Sequence, residues 1–290
     1  MSRKQLLAVA GVGLTLAAVV LRKRETRTLR SDWPLNVAHR GASARAPENT
    51  LEAFRLAVEA GAGGLELDVH MSSDGEVVVI HDATVDRTTD GSGAVAGMTL
   101  GELRALDAGY RFSPDGGRTY PYRDRDVGIP TLAEVYDEFQ ATYVNIEIKE
   151  ARPGVEETVM QVIRGAGAEE RTLVVSNRHG VVRRFRRLCG DRIPTGASRR
   201  EIRDFYLLST LRLERSLRPP YEALQVPPDY RGIPLVTPRF LEAAHSRGVR
   251  VDVWTINDAC EMRRLLDLGA DVIMTDRPET LSGVLEGRGG

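Results

Sequence analysis

Lysine is nearly absent: the 290 residues contain three, Lys4, Lys23 and Lys149, against 37 arginines. Cysteine is as scarce, and two residues, Cys189 and Cys260, exclude a disulfide framework and a cysteine-rich zinc site. Two small buried hydrophobes is the expectation for them. There are five histidines and no His-x-His pair, which argues against a histidine-ligated metallohydrolase. No glycine-rich turn leads from a first strand into a first helix, which argues against a doubly wound nucleotide-binding sheet; GAGGLE (61–66) runs from helix to strand, the wrong direction for cradling a phosphate. At 42% hydrophobic and 28% charged, the composition is that of an ordinary globular protein.

The formal net charge of -1 hides an asymmetry. Residues 1–30 hold seven of the basic side chains and one acid, Glu25, so the remainder has 33 basic against 40 acidic groups. A body this acidic excludes general nucleic-acid binding. Between Lys4 and Arg22 lie seventeen uncharged residues, QLLAVAGVGLTLAAVVL. As a helix they extend about 25 Å, the short end for a membrane span. The run is followed by RKRETRTLR rather than a small-x-small cleavage site. Residues 1–30 are therefore expected to be an uncleaved membrane anchor with a basic flank, a cleaved signal and secretion being the alternative. Five basic residues follow the apolar run and two precede it, which leans toward a cytoplasm-facing domain.

From residue 31 to 290 the chain alternates short β-branched runs with segments of helical period. Strands are predicted at 35–39, 64–70, 77–81, 143–149, 172–176, 193–197, 223–226, 249–255 and 271–275. Helices are predicted at 50–60, 131–140, 154–166, 178–188, 199–213, 238–247, 258–267 and 278–286. Helix-start signals agree: Asn49, Ser176 or Asn177, and the Thr237-Pro238 pair. With one strand set aside as a hairpin, eight parallel βα units predict an α/β (β/α)8 TIM-type barrel, preceded by the N-terminal hydrophobic helix. A region at about 82–130, rich in Gly, Asp, Arg and Tyr, reads as a small functional insertion.

Polar residues crowd the C-terminal ends of these strands, the end where barrel enzymes place their sites. The first strand ends in His39-Arg40-Gly41, the second carries Glu66 and Asp68, the hairpin ends in His81-Asp82, and 143–149 ends in Glu147-Ile148-Lys149. Period-two geometry puts Glu66 with Asp68, and Glu147 with Lys149, on one face. Inward carboxylates need a cation or strong donors, and an all-oxygen set suits one hard divalent ion, Mg2+ or Ca2+. Lys149, the only lysine after residue 30, marks a place for a compact ammonium in a chain that otherwise uses arginine. A cation site, two histidines, Arg40 and Lys149 together form a constellation for a phosphate ester.

AHRGASARAPENT (38–50), GLELDVHMSSDGEVVVIHDATVDRTTDGSG (64–93), NIEIK (145–149), VWTIN (253–257) and GADVIMTDRP (269–278) resemble the glycerophosphodiester phosphodiesterase family, in the family's order, across residues 36 to about 286. The resemblance implies metal-dependent hydrolysis of glycerophosphodiesters to glycerol 3-phosphate and an alcohol. It implies His39 and His81 as the acid/base pair, and Glu66, Asp68 and Glu147 as metal ligands. It further implies Arg40 and Lys149 at the phosphate, and Trp254 against the glycerol or leaving-group side.

Glu48 and Asn49 are candidates to brace the site, Asn49 equally a helix cap. His70 is expected as a satisfied barrel histidine, Asp82 as either a histidine orienter or a turn cap, and Asp276 as a turn or helix cap. The arginines 178, 183, 184, 186 and 187 read as a solvated helix face, and 202–217 as core or as a membrane-facing lip. Rival functions are a lysophospholipase D acting on membrane lysophospholipids and a non-catalytic phosphoester-binding membrane protein.

Overall fold

The computed structural model describes residues 35–288. Ten strands lie among the described residues: β1 (Asn36–His39), β2 (Gly64–Met71), β3 (Val77–Val79), β4 (Tyr143–Ile148), β5 (Thr172–Val175), β6 (Ala223–Val226), β7 (Asp229–Tyr230), β8 (Ile233–Pro234), β9 (Arg250–Val253) and β10 (Val272–Thr275). Between them lie α1 (Leu51–Glu59), α2 (Leu100–Arg104), α3 (Leu132–Glu138), α4 (Val155–Gly165), α5 (His179–Cys189), α6 (Arg199–Thr210), α7 (Pro238–His245), α8 (Ala259–Leu268) and α9 (Pro278–Glu286).

The parallel strands follow the order β5-β4-β2-β1-β10-β9-β6. The sequence places a strand at 193–197; it forms isolated parallel bridges instead, Val174 to Thr195 and Gly196 to Ala223. These bridges join β5 to β6, so the sheet wraps round as a TIM-type barrel. β3 pairs antiparallel with β2, as the hairpin reading requires.

The period-two pattern explains the layering. Leu65, Leu67 and Val69 of β2, and Val144, Ile146 and Ile148 of β4, join the apolar layer beneath the helices. Glu66, Asp68, Asn145 and Glu147 then take the opposite face, with Glu66 beside Asn145 and Asp68 beside Glu147 in the ladder. The opposite end of the barrel is closed by an apolar plug that includes Val37, Tyr143, Leu173, Ala223 and Val272. Above it runs a polar layer in which Gln225 bridges Asn145 (3.1 Å) and Asp252 (3.0 Å). Several helices begin on side-chain caps: Thr131 and Ser198 complete capping boxes with Glu134 and Glu201. α1 is capped by Thr50, not Asn49.

Residues 80–130 carry α2 and a small apolar cluster, including Ile80, Val85, Val95, Leu103 and Ile129, that packs on Val78 of β3. Of the cysteines, Cys189 is buried as expected, whereas Cys260 is exposed. On α6 and the turn after it, Phe205 is core while Leu207, Leu211 and Leu213 are exposed.

The expected N-terminal hydrophobic helix falls outside the described residues. Among the described residues no helix is long and apolar enough to cross a membrane. The longest, α6, has 12 residues, about 18 Å against a hydrocarbon core of about 30 Å. The membrane-anchored localisation read from the sequence is corrected on this finding.

Candidate active site

β1 delivers the first histidine and its neighbour turns the chain sharply. Arg40 has φ +56° and Gly41 φ +85°. A Cβ at Gly41 would lie 2.7 Å from the Ala53 backbone, so only glycine lets α1 pack this close. The turn brings the Arg40 amide to 3.1 Å from Glu66 Oε2. Its guanidinium lies between Asp68 (Nε to Oδ2, 3.1 Å) and Glu48 (Nη1 to Oε1, 3.0 Å).

Glu66, Asp68 and Glu147 each turn an oxygen into one spot, all within 4.8 Å of one another. Asp68 is held by Asn49, whose Nδ2 donates to Oδ2 at 2.9 Å; bracing, not capping, is the work of Asn49. Lys149 Nζ lies between Asp68 Oδ1 (2.9 Å) and Glu147 Oε2 (2.6 Å). Asn177 donates to the other Glu147 oxygen at 2.7 Å. The three carboxylates do not share these cations equally. Burial pushes Asp68 up, but Lys149 and Arg40 outweigh it and hold it below the carboxylate range. Glu66 accepts from the Arg40 amide and makes no ion pair, and burial with the charges of Asp68 and Glu147 outweighs the more distant charges of His39 and Arg40 and pushes it up to about 7.

Each site histidine is tied through Nδ1 to a carboxylate. His39 Nδ1 is 2.8 Å from Asp276 Oδ1. Asp276 in turn accepts from Ser43 Oγ (2.9 Å) and Asn257 Nδ2 (2.7 Å). Burial pushes the His39 imidazole down, yet the Asp276 hydrogen bond and the Glu66 charge carry it above its ordinary value against the opposing Arg40. His81 Nδ1 is 2.6 Å from Asp82 Oδ1. Arg87, on the insertion, joins this pair to the other side of the site: its Nε donates to Asp82 Oδ2 (2.5 Å), and Nη1 and Nη2 grip Glu48 at 2.8 and 2.7 Å. Asp82, held by Arg87 and His81 against the effect of burial, sits at about 2.

His39, Arg40, Glu66, Asp68, His81, Glu147, Lys149 and Trp254 therefore all line one cavity of about 190 Å3 at the C-terminal end of the barrel. Sequence reasoning missed Arg87, Asn177 and Asn257, and took Asp276 for a turn or helix cap when it is the His39 partner. His70 is the satisfied barrel histidine expected, its Nε2 3.1 Å from the His81 carbonyl. The expected arginine face divides: Arg184 pairs with Glu156 and Arg186 with Glu201, while Arg178 reaches back to the Lys149 carbonyl.

Comparison with known proteins agrees with this geometry. The profile of the glycerophosphoryl diester phosphodiesterase family matches residues 39–280. A glycerophosphodiester phosphodiesterase of Caldanaerobacter subterraneus is 38% identical over 253 residues, 85% of this chain and 96% of that relative. A phosphodiesterase of Oleispira antarctica, solved with its product sn-glycerol-3-phosphate, superposes with a TM-score of 0.70 at 26% identity, covering 88% of this chain and 97% of its own. The phosphodiesterase domain of a Mycobacterium tuberculosis protein shares the fold, with a TM-score of 0.76 at 24% identity over 88% of this chain and all (100%) of that one. With its phosphate-ester constellation assembled at the mouth of a barrel and the match running through that constellation, this chain belongs to the glycerophosphoryl diester phosphodiesterase family and is a phosphoric diester hydrolase.

Proposed function

We propose that this enzyme hydrolyses glycerophosphodiesters to glycerol 3-phosphate and an alcohol, by two-histidine acid/base catalysis beside one hard divalent cation, Mg2+ or Ca2+. One observation carries the reading: two histidines, each tied by Nδ1 to a carboxylate, border the same cavity as three converging carboxylate oxygens. With Nδ1 engaged, Nε2 is the proton-transfer atom of each ring. One histidine takes a proton from the entering oxygen and the other gives one to the leaving oxygen.

The donor set fits a hard cation. Three carboxylates face two cationic side chains, and Glu66, pushed up to about 7, is the acid that pairs with neither. Glu66, Asp68 and Glu147 would hold the ion, and all-oxygen ligation selects Mg2+ or Ca2+. When bound, it supplies Lewis-acid polarisation of a phosphoryl oxygen. Lys149 and Arg40 place positive charge at the phosphate, and the Trp254 ring, 39% exposed, offers an apolar wall to the glycerol carbons. The cavity is small, and charged and polar residues outnumber apolar ones along its lining, which favours water-soluble diesters over lysophospholipids.

The test is release of glycerol 3-phosphate by the purified enzyme from a panel of glycerophosphodiesters and lysophospholipids, with and without Mg2+ or Ca2+. No release from any glycerophosphodiester with either metal would remove the proposal. Faster turnover of lysophospholipids would replace it with the lysophospholipase D reading.

A further inference from the structure

Beside the catalytic cavity runs a second, wider groove of about 490 Å3. The two share His81, Glu147, Lys149, Ser176 and Asn177, so one opens into the other. A phosphodiester has two arms, and an arm leaving the phosphate on the His81 side would run into this groove. At its outer wall stand Arg178 and Arg199.

The charges facing the groove do not cancel. Asp82 is taken up by His81 and Arg87, and Glu147 by Lys149 and Asn177. His70 Nε2 is engaged by the His81 carbonyl at 3.1 Å. The Arg178 Nε donates to a neutral acceptor, the Lys149 carbonyl, at 3.1 Å. Among the described residues, no ion pair with a carboxylate is present at Arg178 or Arg199, whereas Arg184 and Arg186, near neighbours of Arg178, are both paired. Nor do the two residues serve their helices. Arg178 precedes α5 without making a side-chain cap, and Arg199 is the first residue of α6, where a cation opposes the helix dipole. What remains is a pair of guanidinium forks, suited to a carboxylate or a phosphomonoester, at the far end of the leaving-group path.

We propose that this groove is the leaving-alcohol subsite and that Arg178 and Arg199 make it select diesters whose alcohol carries a negative charge. The proposal rests on the hydrolytic reading above. Because both arginines are exposed, the selectivity is electrostatic and weakens with salt.

The experiment compares kcat/KM for three diesters that share the glycerophosphate arm: glycerophosphocholine (cationic alcohol), glycerophosphoglycerol (neutral) and glycerophosphoinositol phosphate (anionic). At low salt the anionic substrate is expected to exceed the choline diester by about tenfold or more, the scale of a pair of exposed charge contacts. Arg178→Gln/Arg199→Gln should bring the ratio to within about twofold, as should high salt. Arg183→Gln/Arg187→Gln, the same charge change on α5 outside the groove, should leave the ratio as in the wild type. Equal or choline-favouring rates in the wild type, or a ratio untouched by Arg178→Gln/Arg199→Gln, would overturn the subsite. Loss of the ratio in both double variants would overturn it too, since general surface charge would then be the cause. No turnover of any of the three diesters would overturn the hydrolytic reading itself, and the subsite with it.

Discussion

The Lys149 ammonium lies 2.9 Å from Asp68 Oδ1, and Asp68 is the most deeply buried carboxylate of the site, 1% exposed. The same ammonium is 2.6 Å from Glu147 Oε2. A single compact cation thus separates two acids that would otherwise repel each other in a region of low dielectric. A planar guanidinium at this position would have to push one of those acids aside. Lys149→Arg is therefore expected to keep less than about a tenth of wild-type turnover, a barrier change of about 1.4 kcal/mol or more, and to approach Lys149→Met. Steady-state kinetics of the three proteins on one good substrate at saturating metal is the check. Retention of more than about half the activity in the Arg variant, under about 0.4 kcal/mol, would show that charge alone matters.

Glu66, Asp68 and Glu147 converge without enough cations to balance them. Chelation followed by dialysis should abolish turnover, and Mg2+ or Ca2+ should restore it. Glu66→Gln and Asp68→Asn should each lower the rate at least about a hundredfold, the scale of a lost Lewis-acid contribution. Full activity in excess chelator would refute metal dependence.

His39→Ala and His81→Ala should each lower turnover by about 10^2 to 10^4, with circular dichroism unchanged. The pH-rate profile should be bell-shaped, its limbs belonging to the pair. Asp276 and Glu66 raise the His39 imidazole, while burial and Arg40 lower it. Removing the Asp276 charge therefore has a definite sign: Asp276→Asn should move the His39 limb to lower pH. For stability the sign is the usual one for a histidine raised by its partner. The His39–Asp276 contribution is fully present below about 6.5 and is lost as pH rises through the raised value. A limb that moves to higher pH in Asp276→Asn would contradict the assignment.

Arg87 grips Glu48 with two nitrogens and Asp82 with a third. It thereby couples the carboxylate that orients His81 to the one that holds Arg40. An ammonium cannot reproduce three divergent donors, so Arg87→Lys should lower kcat about tenfold or more with a smaller change in KM. Added guanidinium ion should restore part of the activity of Arg87→Ala. Equal kcat in wild type and Arg87→Lys would show that the contact is a solvated surface pair worth no more than about 1 kcal/mol.

Strand period and residue type were enough to place Glu66, Asp68, Glu147 and Lys149 on inward faces, because neighbouring positions on one strand obey local geometry. The same local rules located α1 and α3 to α9 to within a few residues at each end, since caps and apolar spacing lie within each segment. They also marked the eighth barrel position, 193–197, as a strand; the segment takes that position but through isolated bridges to Val174 and Ala223 rather than a continuous ladder, a difference no local pattern encodes. The N-terminal apolar run was read as a membrane helix by length and hydropathy, and the described residues hold no such helix.

What the sequence determined by itself is which chemical groups point into the barrel, through the two-residue repeat of its strands. What only the tertiary structure decided is how those groups are held. Asp276 stands 237 residues from His39 and reaches it because β10 closes against β1, pairing Thr275 with Ala38. Glu48 and Arg87 lie 39 residues apart and meet because the insertion folds back over the HRG turn. Such partners are chosen by proximity after closure, and a carboxylate that will orient a histidine looks, in sequence, like any acid after a strand.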